Sequence, residues 1–247
     1  MSSKQRLLVV SNRLPLTAKR VSGRWRGERS SGGLVAALAP LMEQIEGLWL
    51  GWPGDSLPGP PEGRARLMAE WEEQHGYVAV EIPAKISRSF YEGYANDTLW
   101  PLLHGFPTRV VIAPDSWVAY RDANERFADA VAGKVRQGDL IWAHDYQLML
   151  TPRLIRERVP DAHIGFFLHI PFPSSEVFRI LPEREELLTG MLGADSLAFQ
   201  THGHLHNFRR SLLQVLGLES DMDRVQVDGR TVHLAALPIG IQSEEWE

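Results

Sequence analysis

Short apolar runs alternate with helix-like segments along almost the whole chain. This alternation constrains the fold more than any other feature. The apolar runs are Leu7 to Ser11, Leu48 to Trp52, Tyr77 to Ile82, Leu140 to Ala143, Ile164 to His169, Leu197 to Phe199 and Ala235 to Ile241. Most are continuous rather than alternating, as strands buried on two faces must be. Between them lie segments with apolar residues at helical spacing. Leu34, Leu38, Leu41 and Ile45 mark the first, which opens after Ser30-Ser31-Gly32-Gly33 and ends at Gly47. Ser87 to His104 is unusually aromatic, and Ser116 to Lys134 places Trp117, Tyr120, Phe127 and Val131 on one side. Thr151 reads as a cap with Pro152 at the first helical position, in a helix running to about Arg158. Pro182 to Leu192 carries Leu187, Leu188 and Met191; Thr201 caps a last helix whose face holds Leu205, Phe208, Leu212 and Val215, closed by Gly217. Val225 to Leu234 reads as a hairpin turning at Asp228-Gly229. A basic loop follows the first strand, and a proline-rich surface loop, Pro53 to Glu62, follows the second. The pattern predicts an α/β fold, a mainly parallel sheet with helices on both faces.

Composition removes several function classes. The 247 residues contain no cysteine, which excludes disulfides, thiolate metal sites and cysteine nucleophiles. A formal net charge of −5 argues against a nucleic-acid partner. The four apolar residues Leu7 to Val10 are too few for a signal peptide, and no run approaches the roughly 18 needed to span a bilayer. The expectation is a cytoplasmic protein without a membrane partner. GxSxG, Walker and HExxH motifs are absent, and no GxGxxG follows the first strand, which disfavours a dinucleotide-dependent oxidoreductase.

In α/β sheets of this kind ligands sit beyond the carboxyl ends of the strands. Arg13, Trp52, Asp145 and His169 all follow apolar runs, so four separated segments converge on one crevice. The Arg13 fork suits a phosphate or carboxylate, or a plain acidic neighbour. Gly32-Gly33 at a helix start admits an anion to backbone N–H groups, or forms a tight loop. Trp49 and Trp52 point to opposite faces, and Trp52, nearer the strand end, is the one expected at the site. Tyr91, Tyr94 and Trp100 fit either a ligand wall or an aromatic core seam. Tyr91 and Trp100 are nine apart and share a face only in a bent or broken helix. Asp145 can accept hydroxyl hydrogen bonds, and the His169 imidazole can donate or accept. His202, His204 and His206 sit at helical spacing without a further ligand, and a metal site is not expected there.

Several longer stretches then carry a family resemblance. Val-Val-Ser-Asn-Arg-Leu-Pro (9–15), Ser-Gly-Gly-Leu (31–34), Trp-Leu-Gly-Trp-Pro-Gly (49–54), Asn-Asp-Thr-Leu-Trp-Pro (96–101), Trp-Ala-His-Asp-Tyr-Gln-Leu (142–148), Gly-Phe-Phe-Leu-His-Ile-Pro-Phe-Pro-Ser (165–174) and Leu-Pro-Ile-Gly-Ile (237–241) resemble the trehalose-6-phosphate synthases. They occur in the family's order and cover essentially the whole chain.

The resemblance implies a Rossmann-like fold forming the N-terminal, acceptor-binding half (1–247) of a two-domain GT-B glycosyltransferase. It implies glucosyl transfer from UDP-glucose, a co-substrate and not a cofactor, to glucose 6-phosphate, with retention and without a metal. Arg13 and Tyr91 would hold the acceptor phosphate, Trp52 and Trp100 would shape the acceptor pocket, and Asp145 would bind acceptor hydroxyls. Gly32 and Gly33 would approach the donor, and His169 would contact the donor glucose as a hydrogen-bonding stabiliser. The family's basic diphosphate motif, Arg-Leu-Asp-Tyr-Ser-Lys-Gly-like, has no counterpart here, so this chain alone is expected to bind acceptor weakly and not turn over. The alternatives are a same-family transferase using glycerol 3-phosphate or a cyclitol phosphate, and a non-catalytic sugar-phosphate-binding module. A homo-oligomer is compatible with either.

Overall fold

The computed structural model describes residues 5–22, 24–30, 32–45, 47–54 and 61–240. Ser31, most of the proline-rich loop (55–60) and Ile241 therefore lie outside the described residues. The strands are β1 (Leu7–Arg13), β2 (Leu16–Val21), β3 (Arg24–Arg29), β4 (Gly47–Trp52), β5 (Tyr77–Ala79), β6 (Leu140–His144), β7 (His163–Leu168), β8 (Ser196–Phe199), β9 (Ser220–Asp221), β10 (Arg224–Val227) and β11 (Arg230–Ala236). Nine of them form one sheet in the order β5-β4-β1-β6-β7-β8-β11-β10-β9. From β5 across to β11 every pair is parallel; β10 and β9 add an antiparallel edge.

The helices are α1 (Gly33–Gln44), α2 (Pro61–His75), α3 (residues 84–103), α4 (Pro114–Ala132), α5 (Thr151–Arg158), α6 (Ser175–Phe178), α7 (Arg184–Met191) and α8 (residues 202–216). They cover both faces. The larger core joins Leu8, Val10, Ile141, Phe166 and Leu197 of the sheet to Phe90, Tyr120, Ile155 and Leu187 of the helices. The smaller joins Val9 and Trp49 to Leu38 of α1, Trp71 of α2 and Ala18 of β2. The α/β expectation holds, because continuous apolar strands require exactly two covered faces.

The strand order places a topological switch at the centre. The chain runs from β1 outward through β4 to β5, then returns to lay β6 on the other flank of β1. Loops diverge there, and a crevice opens at the carboxyl ends of β1 and β6.

Several local expectations are corrected. The basic loop after β1 is a hairpin, β2–β3, whose Gly27 abuts the Trp71 ring of α2. Its strands bury little apolar surface of their own, so they give no periodic signal. The proline-rich loop gives way at Pro61 to α2, which is highly charged and anchored through Trp71. On α1, Leu38 is buried but Leu41 is 38 % exposed, and Ile45 already lies past the helix end in extended conformation. Gly47 does not stop that helix. It opens β4, where a Cβ would lie 2.4 Å from the Leu7 carbonyl oxygen. Thr151 is the first residue of α5 and not its cap; its hydroxyl donates instead to Asn124 Oδ1 at 2.8 Å. The last strand ends at Ala236, and its first residues form the second arm of the expected hairpin.

Candidate active site

β1 brings the first functional side chain into place. Its register against β4 slips between Val10 and Arg13, which sets Arg13 opposite Trp52. The slip needs room: a Cβ on Gly51 would lie 2.7 Å from Leu14 N and 2.8 Å from Arg13 C. The Arg13 guanidinium then lies 4.1 Å above the centre of the Trp52 ring and 5.4 Å from that of Tyr91. Trp52 and Tyr91 meet edge-on at 6.3 Å. Trp52 is 2 % exposed, so its face serves the cation and not the solvent. Stacking on an aromatic face orients a planar guanidinium.

Tyr91 comes from α3, whose middle, Ser89–Leu99, is π-helical. Gly93 permits this helix to press on α4, since a Cβ there would sit 2.5 Å from Ser116 Oγ. The wider π turn, about 4.4 residues, brings positions nine apart onto roughly one side. Tyr91 and Trp100 therefore stand on similar sides of α3, as a regular helix would not allow. Trp100 nevertheless does not enter the Arg13 stack. It is 40 % exposed, and its ring packs on His104 at 4.1 Å. Tyr94 belongs to the core seam, 4.8 Å from the Tyr120 ring and 5.0 Å from that of Trp117.

Asp145 follows β6 directly with φ 74° and ψ 170°, a conformation that costs a non-glycine residue of the order of 1–3 kcal/mol. Its surroundings hold it there. Asp145 N donates to Phe167 O at 2.8 Å, and His169 N donates to Asp145 Oδ1 at 3.2 Å. Behind it, Tyr120 Oη donates to Tyr146 O, and Asn124 accepts at Oδ1 from the N–H groups of Leu150 and Thr151. Tyr146 Oη donates to Asn96 Oδ1 of α3 at 2.9 Å. Burial pushes the Asp145 carboxyl up to about 6, against the backbone N–H groups of Tyr146, His169 and Ile170 that favour its charge. A carboxylate so placed gains from hydroxyl donors brought by a ligand.

Asn124 supports this turn and gave no functional signal in isolation. It could be found as the polar residue on the otherwise apolar face of α4, beside Tyr120 and Phe127. His144 is the other support. It is fully buried at the end of β6, with Nδ1 3.0 Å from Nε2 of His169. Burial holds both imidazoles neutral, His144 at about 3, with His169 adding to the effect, and His169 at about 4.

Both histidines line a cavity of about 780 Å³ with Gly33, Trp142, Phe167 and Ile239. Gly33 opens α1 after an extended Gly32, and that end has no side-chain cap and no acidic residue in its first turn. A Cβ on either glycine would meet nothing within 4 Å, so the helix end faces open space. Asp145 ties the end of β6 to the His169 segment through its backbone N–H and its carboxylate. Among the described residues no group of His, Asp and Glu is arranged to hold a metal. His202, His204 and His206 lie in the first turns of α8, which Thr201 caps through His204 N at 3.2 Å.

The model of glycosyltransferase family 20 matches residues 5–247. The chain belongs to glycosyltransferase family 20. Among family 20 relatives, an Aspergillus fumigatus alpha,alpha-trehalose-phosphate synthase [UDP-forming] is 42% identical, over 98% of this chain and 48% of its own length. A solved Burkholderia xenovorans alpha,alpha-trehalose-phosphate synthase (UDP-forming), in complex with glucose-6-phosphate, superposes with TM-score 0.81 at 28% identity, over 97% of this chain and 51% of that one. The N-terminal domain of a Candida albicans trehalose-6-phosphate phosphatase superposes with TM-score 0.82 at 33% identity, over 98% and 50%. The fold is the GT-B type of these glycosyltransferases, and the chain spans about half the length of the curated relatives it matches.

No described helix is long and apolar enough to cross a membrane.

Proposed function

We propose that these 247 residues form the acceptor-binding domain of a trehalose-6-phosphate synthase. The observation that carries the reading is the Arg13 guanidinium oriented on Trp52 beside Tyr91, at the strand end next to Asp145. A sugar phosphate matches that pair: its phosphate takes the fork of Arg13, and its hydroxyls donate to the Asp145 carboxylate. Tyr91 adds a hydroxyl at the phosphate, and Trp100 walls the outer side of the acceptor. UDP-glucose enters the neighbouring cavity as co-substrate. The N–H groups at Gly32 and Gly33 favour its negative charge, and His169 donates to its glucose. The acceptor's anomeric hydroxyl attacks the donor anomeric carbon on the face that UDP leaves. The new C–O bond forms as the bond to the diphosphate breaks, and a diphosphate oxygen takes the hydroxyl proton. Configuration is retained without a protein nucleophile, and the domain contributes positioning and charge stabilisation. The remaining half of the relatives' length supplies most of the donor site, so this chain binds acceptor and does not turn over alone.

A second reading has one specific support. The likeness to the N-terminal domain of a trehalose-6-phosphate phosphatase fits a module that binds sugar phosphate without transferring sugar. Calorimetric titration of the chain with glucose 6-phosphate, glycerol 3-phosphate and a cyclitol phosphate tests the acceptor. Tightest binding of glucose 6-phosphate is expected, and a preference for either of the others overturns the assignment. Trehalose 6-phosphate formed by this chain alone from UDP-glucose would show that no second domain is needed.

A further inference from the structure

His144 has no role in the reading above, yet it is the fully buried partner of His169, the more exposed of the two histidines that line the cavity. The contact between His144 Nδ1 and His169 Nε2 is 3.0 Å. Both rings are packed by aromatic neighbours. Trp142 packs on His144 at 4.5 Å between centroids, Phe167 on His169 at 4.5 Å, and the two imidazoles stack at 5.2 Å. With one nitrogen from each ring in the bond, one proton lies between them, and the neutral pair has two arrangements. Either His144 Nδ1–H donates and both rings are Nδ1–H tautomers, or His169 Nε2–H donates and both are Nε2–H tautomers.

The surroundings of the outer nitrogens separate the two. His144 Nε2 is buried and has no hydrogen-bond partner. In the second arrangement it carries a proton, leaving a buried N–H with no acceptor, a rare and costly feature. In the first it is a bare acceptor, which proteins leave unpaired more readily. We infer that His144 is a positioning residue that fixes His169 as its Nδ1–H tautomer, so that His169 presents a neutral N–H donor to an oxygen atom in the cavity. The shielding that depresses both imidazoles keeps the pair uncharged at neutral pH, so the donor acts without adding a cation. That the oxygen belongs to the donor sugar rests on the proposed function; the tautomer itself does not.

The test is a long-range ¹H–¹⁵N correlation spectrum of the 247-residue chain labelled at histidine nitrogen, with His169 assigned by its loss in His169→Gln. Wild type is expected to show a protonated Nδ1 and a bare Nε2 at His169. His144→Asn places an amide N–H near the former Nδ1 and should retain that pattern. His144→Phe removes the donor and should return His169 to the Nε2–H form that a free imidazole prefers. Protonated Nε2 at His169 in the wild type overturns the inference, as does an unchanged pattern in His144→Phe. If His144→Phe does not fold, the wild-type and His144→Asn spectra still decide the matter. Loss of glucose 6-phosphate binding with an intact tautomer pattern would count against the proposed function alone.

Discussion

Asp145→Asn is expected to stabilise the unliganded chain at neutral pH while removing its affinity for acceptor. Burial raises the native carboxyl from the ordinary 3.8 to about 6. A raised native value means the folded state holds its proton to higher pH than the unfolded chain does. The associated stability is complete below the unfolded value and is lost as pH rises through about 6. At about 1.4 kcal/mol per pH unit of separation, ionised Asp145 costs the fold about 3 kcal/mol near pH 7.5 and about half of that near pH 5. Asparagine accepts with one oxygen only, and that loss costs about 1 kcal/mol at either pH. The stability difference between variant and wild type should therefore grow by roughly 1 kcal/mol between about pH 5 and 7.5. His144 and His169 act in the opposite sense. Their depressed values stabilise the fold above the unfolded value of 6.5, and that stability is lost on acidification toward about 4 and then 3. Both proteins carry the pair, so it cancels in the difference. Urea denaturation of the two proteins across this range supplies the measurement. A difference that stays flat, or shrinks toward neutral pH, would refute the idea of a carboxylate held charged against its surroundings for a ligand.

Arg13→Ala should weaken glucose 6-phosphate binding by about 30- to 100-fold, the worth of a charge-assisted forked contact at about 2–3 kcal/mol. Arg13→Lys should recover part of that, since it keeps the charge and loses the fork and the stack on Trp52; equal affinity of all three proteins in calorimetry would remove Arg13 from the site. Gly51→Ala touches no ligand, yet should cost about 2–3 kcal/mol of stability in urea and weaken phosphate binding, because the Leu14 and Arg13 backbone it strikes cannot rotate away. An unchanged denaturation midpoint would show that the register slip in β1 has slack.

The strand ends were legible in the sequence for a physical reason. A strand buried on two faces must be apolar until it nears the sheet edge, so residues that break the apolar run mark its carboxyl end. Arg13 and Trp52 are the last residues of β1 and β4, and Asp145 and His169 directly follow β6 and β7. The β2–β3 hairpin and α2 give no such signal, because they pack through a few scattered residues, Ala18, Trp25 and Trp71 among them, rather than along a repeating apolar stripe. Trp100 shows a different limit. Whether positions nine apart share a side depends on the helix type, and α3 is π-helical over the stretch where Gly93 lets it approach α4.

The supports of the site were harder to read than the residues they support, and their burial explains why. Asn124 and His144 are each 0 % exposed, and in sequence each resembles a polar residue that happens to fall near a core position. Their meaning lies in long-range partners: Asn124 holds the turn after Asp145 from 21 or more residues away in sequence, and His144 meets His169 across two strands. A buried polar group must be paired or its burial penalty falls on the fold. Asn124 meets that requirement completely, so it reads as scaffold. His144 meets it with one nitrogen only, and its bonded partner is the residue that turns to the cavity. That asymmetry between two buried polar side chains separates Asn124, which holds the turn, from His144, inferred above to set the tautomer of His169.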